Sequence, residues 1–81
     1  NYWVENLMAI LTETATLYSV SLAAMRAYSR KPALVEARNH AMLRMRDELG
    51  LGLKTIGFYL GGRHHTTVLH SLNRARGMNG K

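Results

Sequence analysis

Arg63, His64, His65, Thr66, Thr67, His70 and Ser71 form a dense run of hydrogen-bonding side chains with no acid among them. Three kinds of chemistry could use such a run. Nucleophilic catalysis would need a base and an orienting acid around a serine or threonine, but sequence adjacency of His70 and Ser71 says nothing about triad geometry. None of the five carboxylates (Glu5, Glu13, Glu36, Asp47 and Glu48) lies near the cluster of His64, His65 and His70 in sequence, and there is no cysteine. No G-x-x-x-x-G-K-[ST] phosphate loop is present either. The chain therefore reads as no enzyme, with no small-molecule substrate and no cofactor. Metal binding fares no better. On a helix, two imidazoles meet one ion at i, i+4, and His64, His65 and His70 are one, five and six residues apart, without acidic or thiolate company. The third chemistry is recognition of nucleic acid. A threonine offers a methyl to the thymine C5-methyl and a hydroxyl to base edges or phosphate, and histidine can donate to purine N7 or O6. Arg63 would stand at the turn that starts this stretch.

Those side chains need a rigid mount, and the flanking sequence supplies one. Leu53, Ile56, Gly57 and Leu60 are spaced 0, 3, 4, 7, one face of a short helix. Gly57 costs about 1 kcal/mol relative to alanine in a helix interior, which makes sense where another helix crosses close by. Gly61-Gly62 permits positive φ and a sharp turn. In the next helix, from His64 or His65 to about Arg76, Val68, Leu69, Leu72 and Ala75 fall within about a third of the circumference and are expected to face the core. Thr66, Thr67, His70 and Arg74 fall opposite, with Ser71 nearer the flank. Helix, glycine turn and helix over residues 53–76 is the pattern of a helix-turn-helix, whose second helix fits a major groove. Lys54 and Thr55 lie at the outward start of the first helix, where the Thr55 hydroxyl and backbone N–H groups are placed to meet phosphate.

The rest reads as scaffold. Residues 1–18 form a lead-in helix with Trp3, Leu7, Ile10, Leu11 and Tyr18 as its stripe; Trp3 packs inward or faces a neighbouring domain. Glu5 suits the positive helix N-terminus. Ser19 or Ser21 can cap a short helix from Leu22 to about Ala27. Residues 28–32, Tyr28-Ser29-Arg30-Lys31-Pro32, form a basic loop that Pro32 stiffens while starting the next helix. From Ala33 to Leu49 the apolar stripe is Leu34, Ala37, Ala41, Met42, Met45 and Leu49, with Arg38, Asn39 and Arg46 off it, His40 at its boundary, and Gly50 as a left-handed stop. Gly77 to Lys81 is expected to be a frayed tail. The predicted fold is all-α, a compact multi-helix domain spanning 1–81.

Composition agrees. In 81 residues, 47% are apolar, enough for one core without metal or disulfide staples. The net charge is +6 and unevenly spread: residues 1–25 have Glu5 and Glu13 and no Lys or Arg, whereas nothing after Glu48 is acidic. A basic C-terminal two-thirds implies an anionic partner. No run approaches the ~18 apolar residues of a membrane span, and no basic amphipathic helix is left spare for a membrane surface. The first residues lack the basic start of a signal peptide. The chain does not begin with Met and reads as a piece of something longer. A cytoplasmic, nucleoid-associated place of work follows from these readings.

The run Ile56-Gly57-Phe58-Tyr59-Leu60-Gly61-Gly62-Arg63-His64-His65-Thr66-Thr67-Val68-Leu69-His70 resembles the signature I-G-x-x-F-G-G-R-D-H-T-T-V-x-H of the DNA-binding domain IV of DnaA, the bacterial replication initiator family. Ala37-Arg38-Asn39-His40-Ala41-Met42 resembles an upstream R-P-R-Q-x-A-M segment, and residues 28–32 take the place of the family's basic loop. The resemblance, covering nearly the whole chain, implies an all-helical domain similar to the TrpR/DnaA domain IV class that binds A/T-rich boxes in double-stranded DNA. It implies a role in replication initiation and origin binding, or in transcription regulation for a stand-alone relative. It assigns Arg30 to the minor groove. It assigns His65, Thr66 and Thr67 to bases and backbone in the major groove, and Arg38, Asn39 and Arg46 to phosphate. Lys54 and His64 replace a proline and an aspartate at base-reading positions, and Leu60 replaces a phenylalanine. With Lys31, Thr55, Arg63 and Arg74 at phosphate, this completes the expected contact set. An ATPase domain in the same parent chain is a further implied partner. A protein-interaction module built on the same fold is the alternative reading.

Overall fold

The computed structural model describes residues 2–77, and among them every regular element is a helix. The order is α1 (Tyr2–Leu17), α2 (Leu22–Arg26), α3 (Pro32–Leu49), α4 (Leu53–Tyr59) and α5 (His65–Ala75). Of the expected tail, residues 78–81 lie outside the described residues; Gly77, at φ +70°, turns the chain out of α5. No described helix is long and apolar enough to cross a membrane.

Local chemistry sets most of the helix ends. α1 closes with Ser19 in the left-handed region at φ 57°. The Ser19 N–H donates to Thr16 O (3.1 Å) and the Val20 N–H to Ala15 O (2.9 Å), the paired bonds of a Schellman ending. Ser19 is thus a stop, and Ser21 is the cap: its Oγ accepts from the Ala24 N–H at 3.0 Å. Pro32 occupies the first turn of α3, where a missing N–H costs nothing, and Gly50 ends that helix at φ 66°.

α3 is the central element. It packs most extensively against α1 and α5 and less against α2 and α4, while α4 packs chiefly on α5. Ala37, Ala41, Met42 and Met45 of α3 share one buried cluster with Leu7, Ile10 and Leu11 of α1 and Val68 and Leu72 of α5. Truncating one of these large side chains to alanine typically costs about 2–5 kcal/mol. Trp3 turns inward, half-buried and edge-to-face with Tyr59 at 6.0 Å. Thr14 joins the α1 stripe although polar, because its hydroxyl bonds back to Ile10 O (2.8 Å) and Leu11 O (3.1 Å). His40 sits at the boundary as expected, its Nδ1 3.2 Å from the Tyr18 hydroxyl.

Two expectations are corrected. Leu69 is 44% exposed and Ala75 only half-buried: α5 packs mainly against α3 and α4, and its buried stripe narrows to Val68 and Leu72. Arg38 is not on the outer face of α3: it is 5% exposed and points among the carbonyls that end α2.

Candidate nucleic-acid interface

The turn between α4 and α5 is built by close backbone approach. A Cβ on Gly57 would lie 2.1 Å from the carbonyl oxygen of Arg63 and 3.3 Å from Val68 Cγ2. The Gly57 carbonyl also accepts the Arg63 N–H at 2.9 Å. It is therefore the turn itself, with α5 just behind it, that the glycine admits. Gly61 (φ +84°) meets a different neighbour: a Cβ there would lie 2.2 Å from Arg26 O, so the turn is pressed against the end of α2.

Three arginines hold α2 in that position. A helix leaves its last carbonyls without partners, and their partial negative charge attracts cations. Arg38 donates from Nε to Met25 O (2.6 Å) and from Nη2 to Ala27 O (2.9 Å) and Ala24 O (3.4 Å). Arg63 donates from Nη2 to Ala27 O at 2.7 Å and from Nη1 to Leu60 O. Arg26 returns the contact, donating from Nε to Tyr59 O at 3.2 Å. Burial lowers the pKa of both Arg38 and Arg63; for Arg38 the positive Arg63 adds to the effect. Where Arg38 was expected at phosphate, the structure turns its guanidinium, on a residue only 5% exposed, to three carbonyls as a structural tie. A single sequence signal pointed to it. Arg38 directly follows Ala37 of the buried stripe, where a long side chain can reach inward.

The basic loop follows directly from Ala27, so these ties place it beside the turn. Between them opens a cleft of about 730 Å³ bordered by Arg30, Asn39, Arg63, His64, Thr67 and Ser71. Arg30, His64 and Thr67 are exposed, and Asn39, Arg63 and Ser71 half-buried. His65, Thr66, Lys31, Lys54, Arg46 and Arg74 are exposed but do not border the cleft, and Thr55 is half-buried. Arg46 donates from Nη1 to Leu51 O at 2.7 Å while its residue stays exposed. Sequence reasoning assigned no role to Tyr28, Ser71 and Arg26, which also line the cleft; Tyr28 is 98% exposed.

The charges sort cleanly. Arg44 is paired with Glu13 (2.8 Å) and Glu48 (2.6 Å), and Arg76 with Asp47 (2.6 Å). The hydrogen bonds to Glu48 and Glu13 raise the Arg44 pKa further, so its charge is permanent and locally compensated. Among the described residues, Arg30, Lys31, Arg46, Lys54, Arg63 and Arg74 make no ion pair with an acid. The acids thus neutralise arginines outside the expected contact set and leave that set positive.

At the start of α5, His64 is the N-cap. Its backbone is extended (φ −65°, ψ 147°) and its Nδ1 accepts the Thr66 N–H at 3.1 Å. The rings of His64 and His65 lie 4.2 Å apart with a 32° tilt. The first turn of α5 therefore presents His64, His65, Thr66 and Thr67 together at an exposed helix N-terminus beside the cleft.

A family described as "Bacterial dnaA protein helix-turn-helix" matches residues 7–75. The chromosomal replication initiator protein DnaA of Roseiflexus castenholzii is 41% identical over 66 residues, 82% of this chain and 14% of that protein. The DnaA proteins of Thermomicrobium roseum and Cutibacterium acnes are 47% and 38% identical over 57 and 72 residues, covering 70% and 89% of this chain. The chain spans 12–14% of the length of these curated relatives. No solved structure matches it.

Proposed function

The chain belongs to the bacterial DnaA helix-turn-helix family, and from that premise we propose that it binds double-stranded DNA sequence-specifically, with α5 in the major groove and the basic loop at the adjacent minor groove. DNA binding without catalysis is what membership of this family carries. The finer reading rests on one observation: His64 and Thr67, at the exposed, acid-free start of α5, border one cleft with the Arg30 loop, held in fixed relation by the carbonyl ties of α2.

In this arrangement His64, His65, Thr66 and Thr67 meet base edges, with Lys54 at the flank from α4. Arg30 enters the minor groove, where a narrow A/T-rich tract concentrates negative potential. Lys31, Asn39, Arg46, Thr55, Arg63 and Arg74 set the register on phosphates. The relatives are named as chromosomal replication initiators. We assign this domain to initiator-type A/T-rich boxes or related regulatory sites on the nucleoid, in a parent chain that carries the ATPase domain elsewhere.

In vitro selection from a random duplex library tests this, followed by a salt titration on the selected site. The affinity should fall with a log–log slope of about −0.9 per phosphate neutralised. Binding to a protein with no salt-sensitive duplex binding would favour the interaction-module reading instead.

A further inference from the structure

We propose that His64 is a specificity-determining residue that reads its base as an obligate hydrogen-bond donor, because its own helix has already taken its acceptor. The inference rests on the DNA-binding reading above and adds the polarity of one contact to it.

A neutral imidazole has one N–H donor and one bare nitrogen acceptor, and the hydrogen bond made by one nitrogen sets the role of the other. In this structure Nδ1 accepts the Thr66 backbone N–H at 3.1 Å, so Nδ1 carries no proton. The ring proton sits on Nε2. The bond is not incidental: the Thr66 N–H belongs to the first turn of α5, where backbone donors have no partner inside the helix, and His64 stands at the N-cap with the extended backbone such caps adopt. A ring flip that offered an acceptor outward would leave that N–H without its cap. His64 is exposed and borders the cleft together with Arg30, Arg63 and Thr67, so Nε2–H is the one polar group it has left for a ligand there.

The consequence follows from the major-groove code. Guanine presents two acceptors, N7 and O6; adenine presents N7 beside an amino donor; thymine presents O4; cytosine presents only an amino donor. Nε2–H matches guanine best and cytosine worst. A carboxylate at the same cap position would accept the same Thr66 N–H yet remain acceptor-only towards the groove, which inverts the preference.

The test compares wild type with His64→Asp, which keeps an N-capping side chain and so keeps the fold, by selection from random duplexes and by titration of the four single-base variants of the selected site. Wild type should disfavour cytosine relative to guanine at one position by about fivefold to 150-fold, and His64→Asp should shift that position alone towards cytosine or adenine. Identical base preferences for the two proteins, with salt-sensitive binding intact, overturn the inference and leave the DNA-binding reading standing. Failure of both proteins to bind any duplex overturns the two together. Independently of DNA, ¹⁵N-edited spectra of the His64 ring in the free protein should show a protonated Nε2 and a bare Nδ1; a proton on Nδ1 overturns the proposal.

Discussion

The Arg63 guanidinium donates from Nη2 to the carbonyl oxygen of Ala27 at 2.7 Å, joining residues 36 apart in sequence. The same oxygen accepts from Arg38 Nη2 at 2.9 Å. One backbone carbonyl, at the point where α2 gives way to the basic loop, thereby gathers the central helix and the helix-turn-helix turn. This is how a loop of five residues acquires a fixed distance from α5, which begins more than thirty residues later.

Arg63 and Arg30 should therefore be energetically coupled. Arg63→Ala is expected to lower stability by about 1–3 kcal/mol through lost charge-assisted hydrogen bonds, and also to erase the preference for an A/T-rich flank proposed for Arg30. In a double-mutant cycle on a flanked duplex, the loss for both substitutions should be smaller than the sum of the single losses. Strict additivity would mean the loop is positioned without Arg63.

Arg38 should behave as a structural residue. Arg38→Ala strands carbonyls at the end of α2 and is expected to cost about 1–3 kcal/mol in denaturant unfolding, the range for charge-assisted hydrogen bonds whose neutral partners are left unsatisfied. In whatever fraction remains folded, the salt slope of DNA binding should match wild type. A slope reduced by about one phosphate would put Arg38 back at the DNA.

Gly57→Ala is a sharp test of the turn. Helix propensity alone would reward alanine by about 1 kcal/mol. Against that stands a Cβ 2.1 Å from the Arg63 carbonyl oxygen, a backbone atom that cannot swing aside. Overpacking of this kind costs about 1–3 kcal/mol or more, so the variant should melt lower than wild type and bind DNA more weakly. A higher melting temperature would show that the turn yields.

Thr66 is exposed at the start of α5, next to the cap it completes. Because only its backbone serves the cap, Thr66→Ala should leave stability nearly unchanged. It should cost about 1–3 kcal/mol at one preferred base pair and little on random DNA. Equal losses on both duplexes would identify a phosphate contact instead.

Acid should weaken the α1–α3 surface network. The Arg44 hydrogen bond holds the Glu48 carboxyl below its ordinary value near 4.5. A depressed carboxylate contributes stability that is fully present above the unfolded value and is lost as pH falls through the lower folded value. Melting temperatures followed downward through about pH 4.5 should thus fall more steeply for wild type than for Glu48→Gln. The difference should be small, since the pair is exposed.

Much of this molecule was legible along the chain because the signals are local. Pro32, Gly50, Ser21 and the Gly61-Gly62 pair mark helix ends through backbone freedom and capping, which depend on a few neighbouring residues. The stripe of α3 and the acid-free face of α5 follow from periodicity, and the residue run from Ile56 to His70 carried the family. Tertiary structure alone decided where the long side chains went. Arg38 could equally have reached outward to phosphate; it turns to α2 because that five-residue helix ends on carbonyls, at Met25 and Ala27, that its own turns leave unpartnered and a distant guanidinium can satisfy. Leu69 stayed exposed because α5 packs mainly against α3 and α4, and it lies off the face they cover. Residue types and spacing determine which groups are offered on each face, whereas the unmet hydrogen bonds of other elements decide which of those groups remain free to meet a partner.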